Sequence, residues 1–141
     1  SCGLNCNHFP IIEKYYDEEY KFLLSNCGID LWMYPHLLMK NEIKKNHIPK
    51  LNEQLDCITR NLKKCNILHL DLHKSGKNMC INNKGIISLI DFDIACINKT
   101  FYNKSHENLF FKHWGYTSDN DEKNYIIQRS ILEDILKNRF L

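Results

Sequence analysis

The sequence predicts a mixed α+β fold for a chain of 141 residues. Two segments, 51–65 and 122–139, carry the spacing of amphipathic helices. Between them lie two apolar runs of strand length, 79–81 and 86–90, joined by Asn82, Asn83, Lys84 and Gly85, which are turn formers. Hydrophobic residues make up 43% of the chain and charged residues 26%, which leaves enough apolar surface for a core.

Residues 1–19 show no regular pattern, and His8, Phe9 and Pro10 open a short apolar piece at Ile11 and Ile12. Residues 15–24 end in a Tyr-Lys-Phe-Leu-Leu run and read as one strand. Ser25, Asn26, Cys27 and Gly28 break it. Asp30 is placed to cap a short helix over 31–39, which Pro35 limits. Residues 41–50 are a polar, basic linker with a solvated Lys44–Lys45 pair. In the helix over 51–65, Leu51, Leu55, Ile58, Leu62 and Cys65 form one stripe, so that face must pack on something. The strand over 86–90 is nearly all apolar, as when both faces are buried. Residues 98–120 read as loop. Asp119 or Asp121 starts the last helix, whose apolar face combines Ile127, Ile131 and Ile135 with Leu132, Leu136 and Phe140. Trp32 and Trp114 read as partial core residues.

The formal net charge of +2 is too small to argue for nucleic acid or an anionic membrane as partner. No apolar run approaches the roughly 20 residues of a membrane span, and no signal-peptide pattern opens the chain. The seven cysteines are odd in number and include no CxxC pair. Cys57, Cys65, Cys80 and Cys96 sit in apolar segments and read as reduced core residues of an intracellular protein.

The chemistry concentrates in residues 67–93. Asp71 and Asp91 each adjoin an apolar run, with Asn78 and the hairpin between them. Phosphoryl transfer asks for a carboxylate beside the attacking hydroxyl and hard oxygen ligands for Mg²⁺. Asp71 fits the first need. Asp91 and the amide oxygen of Asn78 fit the second.

These residues carry a resemblance. His69, Asp71 and Leu72 match the HRDL catalytic loop of the protein-kinase-like superfamily, and Asp91, Phe92 and Asp93 match its DFG position. By this alignment Leu24 is the gatekeeper, Ser25, Asn26 and Cys27 form the adenine-binding hinge, and residues 51–65 are the long central helix. The resemblance covers about residues 8–97. It implies a single partial kinase-like domain: a lobe remnant and hinge over 8–28, then a mostly helical C-terminal lobe over 29–141. It also implies ATP and Mg²⁺ as cofactors and transfer to protein Ser/Thr hydroxyls, in the cytoplasm. The style of the segment is similar to kinase-like proteins of large DNA viruses, which would make that the host cytoplasm. The resemblance further implies that His69 packs on Phe92 and bonds backbone near Asp91.

The chain departs from the family in several places. His73 stands where protein kinases usually carry Lys. His is common there in aminoglycoside and choline kinase relatives, so a small-molecule kinase is an alternative. Lys74 or Lys77 is then the cation near the γ-phosphate. The family places Asn five residues after the catalytic Asp, where this chain has Gly76. Asn78 lies seven residues after Asp71, so it reaches a metal only if the loop bulges. Asp93 replaces the flexible Gly, which argues against a flipping activation loop. No APE-like segment follows Asp93. No Gly-rich loop and no VAIK-like Lys precede His8. The phosphate-cradling lobe was cut away, or a partner supplies it, or the chain is a pseudokinase or binding module. A rival from another class is zinc hydrolysis, because His69 and His73 are four apart as on a metal-binding helix. It leaves Asn78 and the second acidic strand without a role.

Overall fold

A computed structural model of the chain describes residues 8–9, 12–16, 21–24, 27–33, 50–100 and 114–140, with 12–16 and 21–24 as backbone only. Among these residues the fold is mixed α+β, with two α-helices and small antiparallel sheets. The chain order is β1 (Ile12–Tyr16), β2 (Lys21–Leu24), β3 (Ile29–Asp30), a 3₁₀ turn (Leu31–Met33), α1 (Leu51–Lys64), β4 (Ile67–Leu68), β5 (Met79–Ile81), β6 (Ile87–Leu89), β7 (Cys96–Ile97) and α2 (Asp121–Phe140).

The single strand expected over 15–24 is two strands. β1 and β2 pair antiparallel, with Tyr15 opposite Phe22 and Tyr16 opposite Lys21. Their aromatic and aliphatic composition runs together in sequence. The separating signal is the acidic triplet Asp17, Glu18 and Glu19, residue types depleted in strands. Asp30 does not cap a helix. It lies in β3 opposite Cys80, and the chain then makes one 3₁₀ turn, whose Leu31 is fully buried. The remainder of the helix expected over 31–39 falls outside the described residues.

β5 and β6 form the expected hairpin, and β3 completes a three-stranded sheet in the order β3-β5-β6. Asn82 closes the turn by accepting from the backbone N–H groups of Lys84 and Ile86, both at 2.9 Å. All three residues of β6 are buried, as an apolar strand requires. Gly28 has a φ of 105°, and a Cβ there would stand 2.1 Å from the carbonyl oxygen of Ile81. Only glycine lets the chain turn this close to the end of β5.

α1 buries Leu55, Ile58 and Leu62, the stripe read from spacing. It also buries Gln54, which donates to the carbonyl of Gly85 at 3.0 Å and accepts from the N–H of Ile87 at 2.8 Å. This amide ties the helix to the hairpin. α2 starts at Asp121, directly after Asn120, whose side chain accepts from the N–H of Lys123 at 3.1 Å, so the cap is Asn120 and neither aspartate. Its buried stripe is Asn124, Gln128, Leu132, Ile135, Leu136 and Phe140, while Ile127 and Ile131 are half-buried. The stripe is rotated from the expected one because two amides occupy it.

The helices run antiparallel. Arg129 pairs with Asp56 at 2.6 Å and donates to Thr59 at 3.0 Å, and Lys63 pairs with Glu122 at 2.7 Å. Their facing apolar stripes form the main core together with β5, β6, Leu31 and Phe9. The short β4–β7 ladder divides the interior. Ile67 points into the main core, and Leu68 into a smaller cluster with Leu70, Cys96 and Tyr116. Cys27, Cys57, Cys80 and Cys96 are free thiols. Cys65, expected to be reduced, is disulfide-bonded.

Candidate functional site

The segment between β4 and β5 leaves the ladder as an irregular loop that returns on itself. Gly76 N–H bonds to the carbonyl of His73 at 2.9 Å, and Met79 N–H to that of Gly76 at 3.3 Å, giving two successive turns. Gly76 has a φ of 87°, and a Cβ there would lie 3.2 Å from the Cβ of Leu31 and from the backbone N of Trp32. Position 76 therefore faces the 3₁₀ turn and has no room to point a polar side chain at the site. The loop bulges between Asp71 and Asn78, and Asn78 comes back to Asp71, its Nδ2 donating to the Asp71 carbonyl at 2.8 Å.

Asp91 arrives from the other side. The N–H of Ile90 donates to the carbonyl of Asn78 at 2.9 Å, extending the β5–β6 ladder by one rung and setting Asp91 just beyond it. Leu70, Asn78 and Asp91 all have left-handed backbones, with φ of 67°, 69° and 60°. Asn and Asp tolerate that region, but a branched Leu there costs about 1–2 kcal/mol. The surrounding hydrogen bonds hold this strain around one opening.

His69 organises the interior of the site. It is fully buried. Its Nδ1 accepts from the N–H of Asp71 at 3.1 Å, which leaves the proton on Nε2 to donate to the Ile90 carbonyl at 2.7 Å. Its ring meets Phe92 edge-on, with centroids 4.8 Å apart. The packing and the backbone bond expected for this residue are both present. Burial holds its pKa below the ordinary histidine value, against the Ile90 bond and the carboxylates of Asp71 and Asp91, which pull upward. Both ring nitrogens are committed to backbone, and His69 and His73 lie on a loop rather than a helix, which removes the zinc pair. Among the described residues, no group of three or more His, Cys, Asp or Glu side chains is placed to hold a metal.

His73 faces outward. Its Nε2 meets Asp71 Oδ1 at 2.9 Å, with the side chains 44% and 29% exposed, so both reach solvent at the same opening. Lys74 and Lys77 are exposed on the same loop, and Asp91 is exposed beside it. Ser25 and Asn26 of the expected hinge, and residues 10–11 and 17–20 before it, lie outside the described residues. Cys27 is half-buried and precedes the close approach of Gly28 to β5.

Gln128 was not legible as a site residue. Its Oε1 accepts from the N–H of His69 at 2.8 Å and its Nε2 donates to the Ile67 carbonyl at 3.1 Å, so α2 stands in for a second partner strand along β4. The only sequence signal is an amide four residues before Leu132 on the buried stripe. A cavity of about 330 Å³, lined by residues such as Asn66, Cys96, Lys99 and Asp121, opens at the far end of the β4–β7 ladder. None of the expected site residues lines it. The chain matches no family model, no curated protein and no solved structure.

Proposed function

We propose that residues 69–93 form a phosphotransfer centre of protein-kinase-like type, in which Asp71 orients and deprotonates an acceptor hydroxyl. The observation that carries this reading is the bond from Asn78 Nδ2 to the Asp71 carbonyl. It uses the donor end of the amide and leaves the oxygen as the group able to bind a cation. Asp91, brought alongside by the Ile90–Asn78 bond, adds a carboxylate. One amide oxygen and one carboxylate suit Mg²⁺, which takes few protein ligands and keeps oxygens from water and phosphate. Such an ion, bound with ATP, would neutralise charge on the phosphates. Lys74 and Lys77 would add positive charge there, and Ser25, Asn26 and Cys27 would contact adenine.

The acceptor class we favour is a protein Ser/Thr hydroxyl. The His73–Asp71 contact favours a second reading, a small-molecule hydroxyl, since His rather than Lys beside the catalytic carboxylate is similar to the aminoglycoside and choline kinase pattern. A pseudokinase is the non-catalytic form of the same proposal. Thermal denaturation with MgATP is the test, run on the wild type and Asp91→Asn. The proposal expects a Mg²⁺-dependent rise in midpoint that Asp91→Asn loses. Phosphotransfer that survives Asp71→Ala would overturn it. A peptide and aminoglycoside panel separates the two acceptor classes.

A further inference from the structure

We propose that His73 is the positioning residue of Asp71, fixing the rotation of its carboxylate so that Oδ2 alone faces the acceptor. This rests on the phosphotransfer reading. Three groups pin Asp71. Its N–H donates to His69 Nδ1 at 3.1 Å, its carbonyl accepts from Asn78 at 2.8 Å, and Oδ1 meets His73 Nε2 at 2.9 Å. The first two fix the backbone and leave the side chain free to rotate. Only the third acts on the carboxylate. Oδ2 has no hydrogen bond among the described residues. A carboxylate accepts only, so the contact requires the proton on His73 Nε2. The carboxylate is 29% exposed, and a free rotor there would present either oxygen, or neither, to a hydroxyl. Holding one oxygen turns that into one orientation, the gain expected from pre-alignment. The proton leaving the hydroxyl passes to Oδ2 as its oxygen bonds the γ-phosphorus of ATP and the bond from that phosphorus to the β,γ-bridging oxygen breaks, releasing ADP; His73 keeps its own proton throughout.

The test follows phosphate release from MgATP by the full chain, with water as acceptor, in wild type, His73→Ala, His73→Gln and Asp71→Asn. His73→Ala should lower kcat about 10- to 100-fold with KM for MgATP little changed. His73→Gln, whose amide N–H restores the donor, should recover most of the loss. His73→Gln as slow as His73→Ala overturns the proposal, because the imidazole is then needed as a base. His73→Ala at the wild-type kcat beside an inactive Asp71→Asn also overturns it and leaves phosphotransfer standing. Wild-type turnover by Asp71→Asn overturns both, and none by the wild type overturns the positioning role and leaves only the pseudokinase form of the parent reading. Two-bond ¹H–¹⁵N spectra of the imidazoles supply a readout that needs no turnover. The Nε2–H tautomer is expected for His73, with a mixture in Asp71→Asn, and an Nδ1–H tautomer in the wild type overturns the contact.

Discussion

The inner and outer faces of loop 69–78 are built on opposite principles. On the inner face, His69, Leu72 and Asn78 are buried, and their side-chain bonds end on backbone: His69 on Ile90 and Asn78 on Asp71. On the outer face, Asp71 and His73 bond side chain to side chain at a solvent opening. The two histidines make the contrast plain. Backbone bonds fix the tautomer of His69, and burial pushes its pKa down. Exposure leaves His73 answerable only to one carboxylate. The bonds of His69 all end on backbone and hold the fold, whereas that of His73 ends on a carboxylate at the surface.

On that division, substitutions of His69 and Gln128 cost stability, those of His73 cost function, and those of Asn78 cost both. His69→Ala should have the largest effect, about 3 kcal/mol, by opening a cavity beside Phe92 and orphaning the Ile90 carbonyl and Asp71 N–H. A urea titration checks it as a lower midpoint with an unchanged slope. Gln128→Leu keeps the volume but leaves the His69 N–H and Ile67 carbonyl without their partner, for about 2 kcal/mol in the same assay. Asn78→Ala should cost about 1–2 kcal/mol, from the lost bond and from a left-handed backbone at φ 69°. Asn78→Gly should recover the backbone share of that cost but none of the Mg²⁺-dependent midpoint shift.

Proton linkage sharpens the same comparison. His69 titrates lower in the folded chain than in the unfolded one, so the unfolded state binds the extra proton first. Its contribution is complete above about pH 6.5, the ordinary histidine value, and is lost as pH falls from there through the folded value. The urea midpoint should drop over that window, and His69→Gln should remove that component of the drop. His73→Ala should have the smallest effect on stability, below about 0.5 kcal/mol, as for other exposed pairs. A midpoint loss as large as that of His69→Ala would break the comparison.

Where a pattern is local, the sequence is a good guide. The stripe of α1 and the turn at Asn82 are read from neighbours three or four residues apart, and both are present. Long-range devices leave weaker marks. Gln54, Asn124 and Gln128 look like surface residues, yet each lies buried because a backbone group from another segment needs a partner. The two-residue strands β4 and β7 are too short to show a period, and they exist because they pair with each other. β1 and β2 run together in composition, and only the acidic triplet Asp17, Glu18 and Glu19 marks the break between them.

By itself the sequence determined the α+β class, the α1 stripe and the hairpin. Those follow from residue type and spacing, which act within a few residues. Tertiary structure alone decided that Asn78, seven residues on, returns to the Asp71 carbonyl. Between them Gly76 lies against Leu31 and Trp32, some 44 positions away in the chain, a contact that no local pattern reports. It also decided that His69 and His73, alike in type, serve different ends. Burial is a property of the folded whole, and it sets one ring among backbone partners and leaves the other beside a carboxylate.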